Sequence, residues 1–173
     1  MATPTRPPEK GKIAGIDFGT VRIGVAMCDP ERLVAFPYEI YRRRNEKLDL
    51  QYFQEFVKNE RIVHFVLGLP LHCNGDLSDK ARQAMEFGNK LAEATGVSID
   101  YLDERFSSVE AEHYLREAKL NAKQRKERLD KVAAQIILST YLERGCVGTT
   151  DFLALDDEED EALETKENDL ERQ

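Results

Sequence analysis

Three carboxylates are the residues of this sequence best suited to chemistry: Asp17, Glu104 and Asp130. Asp17 lies inside an apolar, glycine-containing run, where an ionised group is costly to desolvate unless it has a partner. Carboxylate oxygens select hard cations such as Mg²⁺ or Mn²⁺ over zinc, and two such ions can activate a water and stabilise the leaving oxygen of a phosphodiester. Two of these acids also have a plainer explanation, since Asp17 could cap a turn and Asp130 could be tolerated by the dipole at a helix start.

Basic residues accompany these acids along the chain. Arg22 follows the turn after Asp17, and Arg105 adjoins Glu104. A cluster precedes Asp130 and consists of Lys123, Arg125, Lys126 and Arg128. Such side chains bind phosphate groups, so the pattern favours a nucleic-acid substrate. These contacts position the nucleic-acid backbone without reading its base sequence. The alternatives are that Arg22 binds a strand-end carbonyl, that Arg105 pairs with a nearby acid, and that the cluster is a solvated loop and helix start.

The elements that must position these residues follow from hydrophobic periodicity and turn signals. Apolar runs predict strands over residues 12–18, 22–28, 33–41, 62–67 and 97–102. Helical apolar stripes predict helices over residues 48–59, 78–95 and 109–118, and a last helix that starts near Asp130 and ends at Gly145. Pro37 suggests that the third strand is an edge strand, with residues 42–44 as its solvated end. The order β-β-β-α-β-α-β-α-α predicts an α/β fold, a five-stranded mixed sheet with helices on both faces.

This topology predicts where the acids meet. Ligands of α/β sheets bind beyond the carboxyl ends of the strands, and Asp17 lies near the end of the first strand while Glu104 follows the last. Asp130 is expected at the start of the final helix. Three acids in one place would repel one another without a cation, so their convergence in the folded protein would itself indicate Mg²⁺ or Mn²⁺, whereas each acid alone is weak evidence. The basic stretch 119–131 is interpreted as a lid that orders on nucleic-acid binding.

Charge is distributed unevenly along the chain. Its 173 residues carry a formal net charge of −8. Residues 156–173 hold ten acidic and two basic side chains; subtracting these from the totals of 33 and 25 leaves 23 of each sign for residues 1–155, which are therefore neutral. We expect a disordered lead over residues 1–11, one domain over residues 12–150, and an acidic, disordered tail over residues 151–173.

Cysteine and histidine usage indicates the compartment. The three Cys and three His residues are scattered, without a Cys-x-x-Cys pair, which argues against a disulfide framework or a zinc site and favours a reducing cytoplasm. The apolar runs are too short to span a bilayer, and residues 1–12 lack the apolar region of a secretory signal. The sequence therefore predicts a cytoplasmic protein without a membrane partner.

Several motifs coincide in a single order. They are Gly15–Ala26, Val66–Leu71 followed by Asn74-Gly75, Asp103–Ser108, and Asp130 with Ala133-Ala134 and Ile137-Leu138. In this order and spacing they resemble the YqgF family of bacterial RNase H-like proteins, described both as Holliday junction resolvases and as nucleases that mature the 5′ end of pre-16S rRNA. The resemblance covers residues 12–145. Leu129 and Lys131 depart from the family pattern around Asp130, and the acidic tail lies outside it.

The resemblance implies an RNase H-like fold and a Mg²⁺-dependent phosphodiesterase. It carries an acidic triad onto Asp17, Glu104 and Asp130, and it matches Arg22 and Arg105 to basic positions of the family. The substrate would be structured RNA, such as pre-16S rRNA, or branched DNA. A resolvase of symmetric junctions favours a homodimer, whereas trimming an RNA end needs only a monomer.

Two other classes of function compete with the nuclease. Sugar kinases and actin-like ATPases share a motif like Asp17-Phe18-Gly19-Thr20, but they need a second lobe and a second Asp-x-Gly segment, which this chain lacks. A non-catalytic nucleic-acid-binding or ribosome-assembly module would keep the fold without turnover, although the presence of all three carboxylates argues against it. The interpretation favoured by the sequence is a cytoplasmic metal-dependent endonuclease.

Overall fold

In the computed structural model of the chain, residues 7–72, 77–104 and 122–148 are described, those of 122–131 by their backbone alone. Five strands form one sheet in the order β3-β2-β1-β4-β5. The strands are β1 (Lys12–Phe18), β2 (Arg22–Cys28), β3 (Ala35–Arg42), β4 (Ile62–Leu69) and β5 (Ser98–Asp103). The described helices are α1 (Glu46–Glu60), α2 (Asp79–Thr95) and α3 (Ala122–Glu143).

The sheet is mixed, as the sequence predicts. β1 pairs antiparallel with β2, and β2 with β3, whereas β4 runs parallel to both β1 and β5. β4 is apolar along almost its whole length because helices cover both of its faces. The prediction from Pro37 that the third strand lies at an edge is confirmed. On the outer side of β3 no neighbouring strand requires a backbone N–H donor, so proline is tolerated there.

Two apolar cores lie on opposite faces of the sheet. One face packs against α1 and α2, through buried side chains such as Phe53, Phe65 and Leu91. The other packs against α3, through Val66, Leu102 and Leu138 among others. Helix caps fix the ends of α2: the Ser78 hydroxyl accepts a hydrogen bond from the Ala81 N–H at 3.0 Å, and Gly96 ends the helix at φ 69°.

Helix α3 lies very close to the sheet over β1. A Cβ at Gly15 would come within 2.7 Å of the Ala134 carbonyl oxygen and 2.8 Å of the Leu138 Cβ. Both neighbours are rigid parts of the helix, so only glycine permits this approach. The strand and the helix therefore meet backbone to backbone at residues 15 and 134.

A buried polar cluster fixes the C-terminal end of α3. The Tyr141 hydroxyl donates to Asp100 Oδ2 at 2.5 Å and lies 3.1 Å from His64 Nε2. His64 is fully buried, and its Nδ1 lies 2.7 Å from the Ser98 hydroxyl. Because buried polar groups are costly without partners, this cluster specifies one docking position for the helix end on β4 and β5.

The predicted element bounds agree with the described ones to within two residues, with one exception. The last helix begins at Ala122, so the prediction that Asp130 lies at a helix start is wrong, and position 130 falls in the third turn of α3. Lys, Arg, Gln and Glu favour helix even without an apolar stripe, which explains the earlier start. The predicted helix over residues 109–118 lies outside the described residues.

Among the described residues, the structure contains no helix with the length and apolarity needed to cross a bilayer.

Candidate active site

Asp17 lies at the end of β1, opposite Gly24 of β2, on the sheet face that α3 covers. It lines a cleft of about 410 Å³ together with the turn residues 19–21, Arg22, Ile40, Lys80 and Gln83. The cleft lies where β1 ends and α2 begins, which is beyond the carboxyl ends of the parallel strands, as the topology predicts.

Glu104 follows β5 directly and interacts electrostatically with Asp17 and Lys80, which line this cleft. Burial raises the pKa of its carboxyl to about 7, and the negative charges of Asp17 and Asp103 add to the rise, while Lys80 opposes it. A carboxyl whose pKa is raised by both burial and neighbouring acids is typical of functional sites. The structure thus brings Asp17 and Glu104, which are 87 positions apart in the sequence, into one acidic pair.

Gly68 of β4 makes room for the Glu104 side chain. A Cβ at position 68 would come within 2.6 Å of Glu104 Oε1 and within 2.6 Å of Ile137 Cδ1. The carboxylate therefore packs between strand β4 and helix α3. The sequence marks Gly68 only as the point where the chain leaves the sheet, because the approach of Glu104 depends on tertiary structure.

The donor set fits a hard divalent cation in part. Asp17 and Glu104 supply oxygen ligands, which Mg²⁺ and Mn²⁺ prefer. Within the described part of the chain, no group of three or more His, Cys, Asp or Glu side chains is arranged to hold a metal. The side chain of Asp130 lies outside that part, but its backbone is two turns from Ile137 on α3 and hence on the same side of the helix.

The predicted basic residues are described to different extents. Arg22 is exposed at the start of β2 and lines the cleft. Positions 123, 125, 126 and 128 lie in the first two turns of α3, with only their backbone described. Arg105 lies outside the described residues.

Arg43 holds the turn that follows Asp17. Its backbone N–H donates to the Val21 carbonyl at 3.0 Å, and its guanidinium reaches the Gly19 carbonyl at 3.4 Å and the buried Asp49 carboxylate at 3.1 Å. The same guanidinium lies 5.0 Å from the ring centre of Phe18. The expectation of a solvated strand end is therefore wrong for Arg43, which is only partly exposed.

The buried Asp49 carboxylate fixes the position of the Arg43 guanidinium. It is 1% exposed and also accepts hydrogen bonds from the Tyr41 hydroxyl at 2.8 Å and the Arg44 N–H at 3.0 Å. Burial disfavours its ionised form, but these hydrogen bonds and the Arg43 charge outweigh burial and hold the pKa of its carboxyl below the ordinary value. The pair fastens β3 and α1 to the turn over residues 19–21.

Comparison with known proteins identifies relatives of this chain. The sequence profile of the RuvX family, described as Holliday junction resolvase, matches residues 11–144. A protein of Rhodopirellula baltica named "Putative pre-16S rRNA nuclease" is 44% identical over 136 residues, 79% of each chain. A protein of Syntrophomonas wolfei with the same name is 44% identical over 137 residues, 79% of this chain and 97% of its own.

Solved structures support the fold. Thermus thermophilus RuvC in complex with a Holliday junction substrate superposes with a TM-score of 0.51 at 14% identity, covering 78% of this chain and 94% of that one. At this identity the likeness concerns the fold alone. The prediction of an RNase H-like mixed sheet is confirmed.

Proposed function

The chain belongs to the RuvX family, also called YqgF, and on that premise we propose that it is a metal-dependent endonuclease that hydrolyses phosphodiester bonds in the 5′-end maturation of pre-16S rRNA. The names of its relatives support the RNA substrate. The observation that carries the proposal is the pairing of Asp17 and Glu104 beside a cleft that is also lined by Arg22. A cytoplasmic location accords with such a substrate.

The residues of the cleft have distinct roles in this proposal. Asp17, Glu104 and Asp130 would hold Mg²⁺ or Mn²⁺, which would activate a water and stabilise the negative charge on the leaving oxygen. The absence of a side chain at Gly68 leaves room for the Glu104 carboxylate, and the turn fastened by Arg43 keeps Asp17 and Arg22 in a fixed relation. Arg22, Arg105 and the basic cluster of Lys123, Arg125, Lys126 and Arg128 bind the phosphate backbone.

Branched DNA is the second candidate substrate, because the family description names Holliday junctions. The backbone contacts proposed here serve either nucleic acid, so the choice rests on cleavage. Resolution of a symmetric junction would call for a homodimer, whereas cleavage at an RNA end is compatible with a monomer.

The test compares a pre-16S rRNA 5′ precursor and a four-way DNA junction as substrates, each with Mg²⁺, Mn²⁺ or EDTA. We expect metal-dependent cleavage of the RNA by the natural protein and a loss of at least about a hundredfold in Asp17→Asn, since that change removes a charged oxygen ligand. Glu55→Gln is the matched control, because Glu55 is an exposed carboxylate on α1 away from the cleft. Cleavage of the junction alone would transfer the proposal to DNA, and binding without cleavage of either would favour the non-catalytic module.

A further inference from the structure

The cleft has a second polar wall, supplied by the first turns of α2. Lys80 and Gln83 both line it, and both are exposed. They are three residues apart in the helix and therefore neighbours on one helical face. No motif of the sequence marks either residue, because their proximity to Asp17 arises only when α2 packs against the end of β1.

Lys80 has no ion partner among the described residues, in contrast to Lys90 and Lys12. Lys90, on the same helix, pairs with Glu46 at 2.7 Å and Glu86 at 2.8 Å, and Lys12 pairs with Glu60 at 3.3 Å. Lys80 has no hydrogen bond or ion pair within 4.0 Å to any residue that the structure describes, although its charge is felt by the Glu104 carboxyl. Its ammonium group is therefore available to an anion that enters the cleft.

We propose that Lys80 and Gln83 form a phosphate-binding pair that holds a backbone phosphate of the nucleic acid beside the bond to be cleaved. This inference rests on the proposed function and adds a contact from α2 to those of Arg22 and α3. An ammonium is a strong point-charge ligand for phosphate, and a primary amide adds a neutral N–H donor. The acids of the cleft make such a contact valuable, because without nearby cations they would repel the substrate backbone.

The test is binding by fluorescence anisotropy in EDTA, with a fluorescein-labelled pre-16S rRNA 5′ precursor and a fluorescein-labelled four-way DNA junction as probes. We expect Lys80→Ala to weaken binding by about tenfold and to reduce the slope of log K against log salt by about 0.7 to 0.9, the value for one lost phosphate contact. Lys80→Arg should retain the slope. Gln83→Ala should weaken binding by about threefold without changing the slope, because the amide carries no charge.

Arg82→Ala is the matched control for Lys80→Ala. Arg82 is a basic, exposed residue of the same helix, two positions further on, but it does not line the cleft. Its removal makes the same change in net charge, and we expect an affinity loss of less than about twofold. Equal losses in the two variants would show that net charge alone is responsible, and they would overturn the proposed contact.

The outcomes for this contact and for the proposed function are separable. If the natural protein cleaves RNA in Mg²⁺ while Lys80→Ala binds like Arg82→Ala, the nuclease stands and the Lys80 contact falls. If the natural protein binds without cleaving while the variants show the expected pattern, the contact stands and the nuclease falls. If it binds neither probe, both are overturned.

Discussion

Glu104 holds a proton more tightly in the folded protein than in the unfolded chain. Burial, with the charges of Asp17 and Asp103, raises the pKa of its carboxyl from 4.5 to about 7. Between these values the folded state binds more protons, so the free energy of unfolding falls as pH rises. The contribution is fully present below about pH 4.5 and is lost as pH rises through about 7, and after allowance for partial exposure it is on the order of 2 kcal/mol.

This predicts that Glu104→Gln removes the fall in stability. The amide does not titrate, so the variant should lack the decline between pH 5 and pH 8 that the natural protein shows in EDTA, and it should be the more stable of the two at pH 8. Urea unfolding at both pH values measures the effect. Glu55→Gln should keep the natural pH dependence of the free energy of unfolding. If Glu104→Gln showed the same decline with pH as the natural protein, that result would contradict the acidic pair described here.

Single residues also show the limit of what the sequence predicts. The apolar run around Asp17 identifies that residue because a buried charge is conspicuous in a strand. Lys80 is an ordinary exposed residue of a helix, and its significance comes from a neighbour 63 positions away in the sequence. From the sequence, Gly68 indicates only where the chain leaves the sheet and Arg43 only a solvated strand end, because their contacts with Glu104 and Asp49 exist only in the folded protein.

At the scale of elements, the Arg43–Asp49 pair joins three parts of the chain: the turn over residues 19–21, strand β3 and helix α1. Asp49→Ala would remove the ion partner of Arg43 and the acceptor of the buried Tyr41 hydroxyl, and we expect a loss of about 3 kcal/mol in the free energy of unfolding. Denaturant unfolding checks this value.

The exposed ion pair between Glu46 and Lys90 offers the contrast for this prediction. It joins α1 to α2, but the Glu46 side chain is 61% exposed. Glu46→Ala should therefore cost less than about 0.5 kcal/mol. If both substitutions destabilised the protein equally, the buried pair would not have the role inferred for it.

Helix α3 shows why element bounds are predicted unevenly. Bounds marked by a glycine turn or a capping serine, as for β1, β2 and α2, agree closely with the structure. The start of α3 has no apolar stripe, because its first turns contain mainly charged residues. Hydrophobic periodicity reports apolar side chains, so it does not mark a helix start of this composition.

At the scale of the whole molecule, charge divides the chain into a neutral part over residues 1–155 and an acidic segment over residues 156–173. Acidic side chains tethered to a nucleic-acid-binding domain compete with phosphate for its basic residues. We expect deletion of residues 156–173 to raise RNA affinity by about threefold at low salt and by little at high salt, where charges are screened. Anisotropy titrations at two salt concentrations provide the measurement, and a salt-independent change would contradict this explanation.

The overall fold was the most predictable property of the molecule. Three strands with short turns can only form a meander, and alternating helices and strands then require parallel pairing, which leads to the mixed sheet. The division 1–11, 12–150 and 151–173 stays a prediction, as does the lid over residues 119–131.

The close contact between Gly15 and Ala134 is the point about which a rigid tilt of α3 would take place. Tyr141 lies seven residues from this point and position 130 lies four, which correspond to arms of about 10 Å and about 6 Å. A rigid tilt that moved the Tyr141 end by about 1 Å would move position 130 by only about 0.6 Å in the opposite direction. Because buried hydrogen bonds fix the Tyr141 end of the helix, a displacement of that end reaches position 130 with a smaller amplitude.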